Sequence, residues 1–521
     1  MKTLLIVFAI ASQFASQFTG AVLAQDRPTV TTQQGQVRGT VVNDLKVFRG
    51  IPYAAPPVGD LRWRPAQPPT AWEGTRDAEQ FGGVCPQALR LGYNAEDLSD
   101  RSMQEDCLTL NVWTLNTPAS EPKPVMVWML PGGFTSGDSG MAVYNGSALA
   151  TQGMVVVTFN YRLGYLGQFA HPALSRQSPE DAIGTYYLSD QVRALEWVRD
   201  NIAAFGGDPA NVTIFGMSAG GVSVNYLMGL PAAKGLFHKA MSQSSNVRPY
   251  KAKHISIDRY MSPSLETTGA AMATALVEDK ESDAAIVAGL RALTWEQVLD
   301  YQNKTAFGSL NPAVDGIYLP EALGPVFSEG RQHPVPYLTG ATSWEGSLLM
   351  RLDKADLLLN ALQISREEIT ELYGDVDDRT ILNNLEFDTF FGSQRWLARQ
   401  HAKTDQPTYL YRFDYVFEEK LGTMPGAPHG AETAYVFKTI DATSQNPVSD
   451  SDRAMANLIS AYWVNFAKTG TPNAAGLPDW PRHTTEQDVL LDFSNTAIAP
   501  KIEFERDRMQ FIENRYSSGE M

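Results

Sequence analysis

Ser218 lies in the sequence GMSAG at residues 216–220, which combines the residue types of a nucleophilic turn. The apolar run VTIF at residues 212–215 precedes it, and small and apolar residues that can begin a helix follow it. A strand that turns sharply into a helix strains the backbone of the central serine, and flanking glycines avoid collisions with neighbouring elements. The new helix also aims free N–H groups at the same point, which favours an oxyanion. The pattern predicts a serine nucleophile, with a glycine-rich structural turn as the alternative.

A serine hydroxyl needs a base to remove its proton, and histidine is the natural base near neutral pH. His429 has the most favourable setting among the seven histidines, because it lies in the small-residue sequence GAPHG after an apolar run at residues 409–413. The six without an evident catalytic setting are His171, His238, His254, His333, His401 and His483. The sequence therefore indicates His429 as the base.

A carboxylate must orient the imidazole ring and stabilise the imidazolium that forms. Glu345 is the first candidate, because it follows an apolar run that ends near Leu338 and would emerge at the carboxyl edge of a sheet. On the residues alone, Asp315 and Glu432 are serious rivals. The order of serine, acidic residue and histidine with Glu345 as the acid is the order expected of α/β-hydrolases.

The elements that must position these side chains follow an alternating pattern. Longer amphipathic segments separate short apolar runs at residues 125–130, 154–159, 212–215, 335–338 and 409–413. This alternation predicts an α/β fold with a mostly parallel central sheet flanked by helices. The clearest helix is predicted over residues 190–205, with the glycines at 206 and 207 as its stop. No repeat, low-complexity segment or long linker is visible, so residues 25–521 are interpreted as a single domain.

Several longer motifs make the chain resemble the type-B carboxylesterases, the family that includes the cholinesterases. The resemblance extends from about Gly35 to Pro481. Besides the serine, acid and histidine segments, the motifs are FRGIPYA at 48–54, EDCLTLNV at 105–112, NYRLG at 160–164, NIAAFGGDP at 201–209 and WVNFAKTGTP at 463–472. The resemblance implies an α/β-hydrolase fold with inserted cap-like segments. It also implies a serine ester hydrolase that acts on small-molecule esters through an acyl-enzyme, without a metal or another cofactor.

Matching positions within the resemblance assign further residues. Glu345 and His429 match the acid and base of the family, and Ser244 matches a serine near the acid that would orient it. Cys85 and Cys107 match the family's first disulfide, and an even pair so close in an exported chain itself favours a disulfide over two separate buried thiols.

The loop that would supply the oxyanion donors departs from the family pattern. By position, the donors are the backbone N–H groups of Gly132, Gly133 and Ala219, which are all retained. The residues before them are Leu130 and Pro131, where the family usually has histidine and glycine. Because proline has no N–H and restricts the preceding residue to extended conformations, we expect a changed loop path with a working oxyanion hole.

Charge and the N-terminus restrict the partners and the location. The chain has 42 Lys plus Arg against 58 Asp plus Glu, a formal charge of −16, which argues against a nucleic-acid or anionic-membrane binder. Lys2, an apolar run at residues 4–11 and VLA at 22–24 predict a signal peptide cleaved after Ala24, and hence a secreted or periplasmic protein. A short membrane anchor is the alternative, but the apolar run is too short to span a bilayer, and no later run is long enough.

Two other functions are compatible with the same sequence. The fold also serves as a non-catalytic binding or adhesion module, although retention of Ser218, Glu345 and His429 favours an enzyme. The same three residues could also act on amides, carbamates or lactones. Acyl and alcohol specificity depend on loops, and residues 251–305 are expected to form part of a substrate-facing cap. The sequence leaves the oligomeric state open.

Overall fold

The computed structural model describes residues 27–519, apart from residues 89–100, 118–120, 182, 260–261 and 306–309. The predicted signal peptide, residues 1–24, lies outside the described residues. The strands are β1 Thr29–Thr32, β2 Gly35–Arg38, β3 Thr40–Val42, β4 Leu45–Pro52, β5 Thr75–Asp77, β6 Thr109–Leu115, β7 Lys123–Met129, β8 Val155–Phe159, β9 Gly207–Met217, β10 Lys239–Gln243, β11 Lys253–His254, β12 Ala313–Val314, β13 Tyr337–Thr342, β14 Thr408–Asp414, β15 Val489–Ser494 and β16 Ile498–Ile502.

Eleven of these strands form one sheet in the order β16-β15-β14-β13-β10-β9-β7-β8-β6-β4-β3. From β15 through β14, β13, β10, β9 and β7 to β8, every neighbouring pair is parallel. The pairs at both edges are antiparallel. The prediction of a mostly parallel central sheet is therefore confirmed. Parallel strands direct their carboxyl ends to one edge, and the loops that follow β9, β13 and β14 meet there.

Helices cover the sheet. Their bounds are α1 Ser147–Thr151, α2 Gly164–Gly167, α3 Pro172–Gln177, α4 Tyr186–Asn201, α5 Ala219–Gly229, α6 Leu265–Leu276, α7 Asp283–Ala292, α8 Trp295–Thr305, α9 Leu323–Ser328, α10 Asp356–Leu362, α11 Arg366–Tyr373, α12 Asp378–Ala402, α13 Glu432–Val436, α14 Ile440–Thr443, α15 Asp450–Thr469 and α16 Arg506–Ser517. Within the described residues, none of these helices is both long enough and apolar enough to cross a membrane.

All five apolar runs form strands, but the run at residues 335–338 differs from its prediction. The strand there is β13, which begins two residues later and continues to Thr342. Its second half contains Thr339, Gly340 and Thr342, which are not apolar but are fully buried. Gly340 is needed because a Cβ at this position would lie 2.2 Å from the carbonyl oxygen of Tyr411 on β14. The second half of β13 is therefore buried because neighbouring strands pack closely against it, and its sequence contains no apolar run.

The predicted helix over residues 190–205 is displaced. Helix α4 begins at Tyr186 and ends at Asn201, and a short 3-10 turn over Ile202–Phe205 follows it. Tyr186, Tyr187 and Leu188 are buried and extend the helix towards the N-terminus. Gly206 ends the turn with φ +83°, whereas Gly207 is the first residue of β9 and not part of the stop.

The longest helix, α12, packs its apolar face on the sheet beside the site. Phe391 shares a buried cluster with Ala341 of β13 and Leu410 of β14. This packing fixes the neighbouring helix positions, among them Glu386 and Phe390, over the carboxyl edge of the sheet. Elsewhere, Cys85 and Cys107 are joined in a disulfide, as the sequence predicted.

Candidate active site

Ser218 occupies the sharp turn between β9 and α5. Its backbone has φ +55° and ψ −122°, a conformation that a residue with a side chain adopts only under strain. The N–H of Ser218 donates to the carbonyl oxygen of Gln243 at 2.8 Å, which ties the turn to the end of β10. The predicted strand–turn–helix context of the serine is therefore present.

Gly216 and Gly220, on either side of Ser218, are required because neighbouring backbone atoms leave no room for a side chain. A Cβ at Gly216 would lie 2.6 Å from the backbone of Gly220, and a Cβ at Gly220 would lie 2.0 Å from the carbonyl oxygen of Met129 on β7. Real Cβ atoms do not approach backbone atoms so closely, so any larger residue at 220 would move α5 away from β7. The sequence argument for glycine on both sides of the serine is confirmed.

Glu345 and His429 are in direct contact. His429 donates from Nδ1 to Oε2 of Glu345, whose side chain is fully buried. The other oxygen of Glu345, Oε1, accepts from the N–H of Thr342 at 2.9 Å and from its hydroxyl at 2.8 Å. Both carboxylate oxygens are therefore held, and the imidazole is fixed in the tautomer with its other nitrogen, Nε2, free to act as an acceptor. Nε2 is buried and has no hydrogen-bond partner among the described residues.

The two loops that carry the acid and the base are tied to one another. Ala427 donates from its N–H to the hydroxyl of Ser343 at 2.9 Å, and Trp344 donates to the carbonyl oxygen of Ala427 at 2.9 Å. The N–H of His429 donates to the hydroxyl of Ser347 at 2.9 Å. Because β13 and β14 are parallel neighbours, the two loops leave the sheet side by side, and these hydrogen bonds hold Glu345 and His429 in register.

The rival acids occupy other environments. Asp315 accepts from the N–H groups of Ile317 and Tyr318, each at 2.6 Å, and so stabilises its own turn. Glu432 is fully buried and accepts from the hydroxyl of Tyr411 at 3.2 Å. Its Oε2 has no partner among the described residues. Of the three candidates, Glu345 is the one that is hydrogen-bonded to His429.

Ser244 lies at the end of β10, where its backbone has φ +47°. Its hydroxyl accepts from the N–H of Thr342 at 3.3 Å, the same N–H that holds Glu345. Among the described residues, the hydrogen bonds connect Ser244 to Glu345 through Thr342 and not directly. The serine is near the acid, as the resemblance implied.

The electrostatic environment of His429 favours its protonated form. Burial by itself would lower the pKa of the imidazole, but the negative charge of Glu345, the hydrogen bond to it and the charges of Glu432 and Glu386 outweigh burial, so that the pKa is raised above 6.5. Burial also acts on the other two carboxyls. Together with the charge of Glu345, it raises the pKa of Glu386 and that of Glu432 to about 7 each.

The predicted oxyanion loop follows β7 and packs against the beginning of α5. Gly132 and Gly133 have φ +117° and +62°, which favour glycine, and a Cβ at Gly132 would lie 2.0 Å from the carbonyl oxygen of Ser136. No hydrogen bond among the described residues uses the N–H of Gly132, Gly133 or Ala219. Leu130 is buried, and its carbonyl oxygen accepts from the hydroxyl of Tyr161 at 2.7 Å, which anchors the loop next to Pro131.

A cavity of about 900 Å³ opens in front of Ser218. Ser218, Ala219 and Ser244 line it, together with Glu386 and Phe390 of α12. The ring of Phe390 packs edge-on against the ring of His429 with centroids 5.3 Å apart. Ser218 therefore lines the cavity, and His429 contacts Phe390, which lines the same cavity. No cluster of three or more His, Cys, Asp or Glu residues in the described ranges is placed to hold a metal ion.

The segment expected to form a cap contributes much of the cavity wall. It contains β11, α6, α7 and α8, and its lining residues include Lys253, Thr267 and Tyr301. Sequence reasoning did not single out Arg248, Lys253, Glu386 or Phe390, which line the same cavity. None of them belongs to a motif with a fixed spacing to the serine, so only the fold brings them to the site.

Comparison with known proteins identifies the family. Residues 26–385 and 369–512 match the carboxylesterase family. The chain belongs to the carboxylesterase family. Its curated relatives include a fumonisin B1 esterase from Sphingopyxis macrogoltabida, 35% identical over 88% of this chain and 85% of the relative, and a para-nitrobenzyl esterase from Bacillus subtilis (strain 168), 34% identical over 89% and 94%. Liver carboxylesterase 1 from Oryctolagus cuniculus is 30% identical over 91% of each chain.

Solved structures agree with the family. A PNB esterase superposes with a TM-score of 0.78 at 31% identity, covering 93% of this chain and all of the other. A thermophilic PNB esterase superposes with a TM-score of 0.80 at 31% identity and the same coverage. The fold is therefore the α/β-hydrolase fold of this carboxylesterase family, and the protein is a serine carboxylic ester hydrolase, as the resemblance implied.

Proposed function

We propose that this carboxylesterase hydrolyses small-molecule esters through Ser218, His429 and Glu345, with a covalent acyl-enzyme intermediate. The contact between Nδ1 of His429 and the buried Glu345 carries the proposal, because it leaves Nε2 as the one unpartnered acceptor of the ring. His429 takes the proton of the Ser218 hydroxyl as the oxygen attacks the ester carbonyl. Glu345 stabilises the imidazolium that forms.

The tetrahedral oxyanion is stabilised by the N–H groups of Gly132, Gly133 and Ala219. The positive φ values of the two glycines and the absence of another acceptor for these three donors among the described residues support this role. The imidazolium then gives its proton to the alkoxy oxygen of the ester as the C–O bond breaks, and the alcohol leaves. The same imidazole takes a proton from water as the water attacks the acyl-enzyme. It then returns the proton to the oxygen of Ser218 as the acyl–serine bond breaks and the acid leaves. None of these steps draws on a metal ion or a cofactor.

The test is hydrolysis of p-nitrophenyl butyrate by the purified protein. We expect Ser218→Ala to lower kcat by a factor of about 10³ or more, because the covalent route is lost. Ser451→Ala, at an exposed serine on α15 outside the cavity lining, is the matched control and keeps the wild-type rate. A fluorophosphonate probe should add one label to the peptide that contains Ser218. Equal rates for Ser218→Ala and the wild type would remove Ser218 from the reaction.

We also infer that the chain is exported and that the mature enzyme is one hydrolase domain over residues 25–521. The basic residue, apolar run and small residues at 22–24 support a signal peptide cleaved after Ala24. The disulfide between Cys85 and Cys107 suits an oxidising compartment. N-terminal sequencing of the protein from the culture medium or periplasm should begin at Gln25. An intact N-terminus on protein retained with the membrane would contradict the cleavage.

A further inference from the structure

The cavity in front of Ser218 has a positive wall although the chain as a whole is strongly negative. Four cationic side chains line it, Arg248, Lys251, Lys253 and Arg259, against a single carboxylate among the described lining residues, Glu386. The formal charge of the whole chain is −16. From the overall composition, a negatively charged cavity would be expected. Its positive charge therefore comes from the particular residues that line it.

Most arginines elsewhere have acidic partners. Arg176 pairs with Asp283 at 2.6 Å, and Arg331 pairs with Glu321 at 2.6 Å. In the part of the chain that the structure describes, the three side chains of Arg248, Lys253 and Arg259 take part in no ion pair with a carboxylate.

The cationic segment is anchored by its backbone. Val247 donates to the hydroxyl of Ser393 on α12 at 3.0 Å, and that hydroxyl donates back to the carbonyl oxygen of Val247 at 2.8 Å. Lys253 lies in β11, which pairs in parallel with β12, and Ile255 donates to the carbonyl oxygen of Val314 at 2.9 Å. The backbone at Arg248 and Lys253 is therefore held in place by hydrogen bonds to α12 and β12.

Burial makes the unpaired charge costly. Lys253 is partly buried, and burial lowers the pKa of its ammonium. An anion from a ligand would restore the missing counter-charge in a place where water screens it poorly. His254 adds no positive charge at neutral pH, because its Nδ1 accepts from the N–H of Ser256 at 3.1 Å and of Ile257 at 3.2 Å.

Glu386 does not cancel the positive wall. It is a single carboxyl among four cations, and burial, together with the charge of Glu345, raises its pKa to about 7. A substantial fraction of the Glu386 side chains is thus neutral near pH 7. The cavity therefore keeps a net positive charge in the pH range where a histidine base works.

We propose that the preferred substrates are anionic esters, whose acyl or alcohol part carries a carboxylate that Arg248, Lys253 and Arg259 bind while Ser218 attacks the ester carbonyl. The inference rests on the proposed function, because it requires the reaction to take place in this cavity. A cleft lined by one sign of charge concentrates ligands of the opposite sign and lowers the cost of binding them.

The test compares esters that differ only in charge. Ethyl hydrogen adipate and ethyl 6-amino-6-oxohexanoate share the same ethyl ester and chain length, with a carboxylate in one and a carboxamide in the other. 4-Acetoxybutanoate and 4-acetoxybutanamide place the same difference on the alcohol side. For at least one pair, we expect kcat/KM to favour the carboxylate by about tenfold or more at an ionic strength near 0.02 M. The preference should fall towards one at about 1 M salt.

Substitutions of the lining cations test whether the preference for carboxylate esters arises in the cavity. Lys253→Met and Arg248→Met should each lower the carboxylate-to-carboxamide ratio by about three- to tenfold. Lys280→Met removes the same charge from an exposed site outside the cavity lining and should leave the ratio unchanged. If a cavity variant fails to fold, the salt dependence of the wild-type ratio still decides.

The measurements distinguish failure of the anionic preference from failure of the proposed function. If the wild type hydrolyses both carboxamide esters through Ser218 but shows ratios at or below one for both pairs, the anionic preference is wrong and the proposed function stands. The preference is also wrong if Lys253→Met and Lys280→Met have the same ratio. If Ser218→Ala hydrolyses the carboxamide esters as fast as the wild type, the proposed function itself is wrong.

Discussion

Gly430 lies against the side chain of Met217, so that a Cβ built on the glycine would fall 2.4 Å from Cε of the methionine. Gly430 directly follows the proposed base, and Met217 directly precedes the proposed nucleophile. This contact joins the loop after β14 to the turn after β9, two parts of the chain that are otherwise far apart in sequence. A side chain at position 430 would therefore have to push aside the flexible end of Met217, next to the serine.

Substitution of Gly430 tests this contact. Gly430→Ala and Gly422→Ala both place a side chain at positive φ, +77° and +74°, but a Cβ at 422 meets nothing within 4 Å. We expect both variants to lose about 1–2 kcal/mol of unfolding free energy. Only Gly430→Ala must also move the flexible end of Met217, which disturbs the spacing of His429 and Ser218, so it alone should lower kcat, by about two- to fivefold. Urea titration and steady-state kinetics on p-nitrophenyl butyrate measure both effects. Equal kcat values for the two variants would show that the contact does not position the base.

Loss of the Glu345 carboxylate should lower kcat more than loss of the Thr342 hydroxyl that donates to it. Glu345→Gln keeps the shape but loses the charge that stabilises the imidazolium, so kcat should fall by about 10²–10⁴. Thr342→Val removes the hydroxyl that donates to Glu345 at 2.8 Å and leaves the backbone donor in place, so kcat should fall by about three- to thirtyfold. Glu367→Gln, at an exposed glutamate on α11, serves as the control. A Thr342→Val variant as impaired as Glu345→Gln would indicate that the loop itself had moved.

The pH dependence of kcat/KM should reflect the raised pKa of His429. Because the base must be neutral, the acid limb of the profile should have its inflection above pH 6.5, and activity should fall as the pH drops through it. Glu432→Gln removes one of the negative charges that favour the imidazolium, so the inflection should move to lower pH. Since these groups titrate together, the inflection belongs to the cluster. An inflection that stays in place or rises in Glu432→Gln would contradict the electrostatic explanation.

The disulfide should contribute to stability more than to activity. Cys85 and Cys107 close a loop with a sequence separation of 22 residues. Opening it in the double variant Cys85→Ala, Cys107→Ala should lower the free energy of unfolding by about 2–4 kcal/mol. Neither residue lines the cavity in front of Ser218, so kcat at 25 °C should be unchanged. Thermal unfolding of the oxidised wild type and the double variant provides the measurement. Equal unfolding temperatures would show that the bond adds no stability.

Sequence reasoning predicted those parts of the fold and site that leave a local signature. The glycines around Ser218 are dictated by contacts with Met129 and with the backbone nearby, so the same pattern that marks the turn in the sequence is required in the structure. The apolar runs of central parallel strands are visible because both faces of the sheet are covered. The second half of β13 left no such signal, since Thr339, Gly340 and Thr342 are buried by close strand packing.

The cavity wall could not be predicted in the same way. Arg248 and Lys253 follow β10, Arg259 lies beyond them, and Glu386 comes from α12 more than a hundred residues later. No fixed spacing connects these residues, and each of them alone reads as an ordinary surface charge. The anchoring of Val247 on Ser393 and the ring contact of Tyr250 with Trp396 bring the cationic segment and α12 to the same space. Glu345 is the first candidate for the acid because it follows a strand, but on the residues alone Asp315 and Glu432 remain rivals. The contact of Glu345 with His429 agrees with the first choice.

The hydrolytic groups and the cavity wall come from separate stretches of the chain. Ser218, Glu345 and His429 follow β9, β13 and β14, whereas the cationic residues lie in the insertion between β10 and β13. That insertion could be exchanged with the corresponding stretch of a relative without replacing any atom that makes or breaks a bond. Selectivity in this scaffold is therefore open to modular engineering, in which a chimaera inherits its reactivity from one parent and its choice of ester from the other.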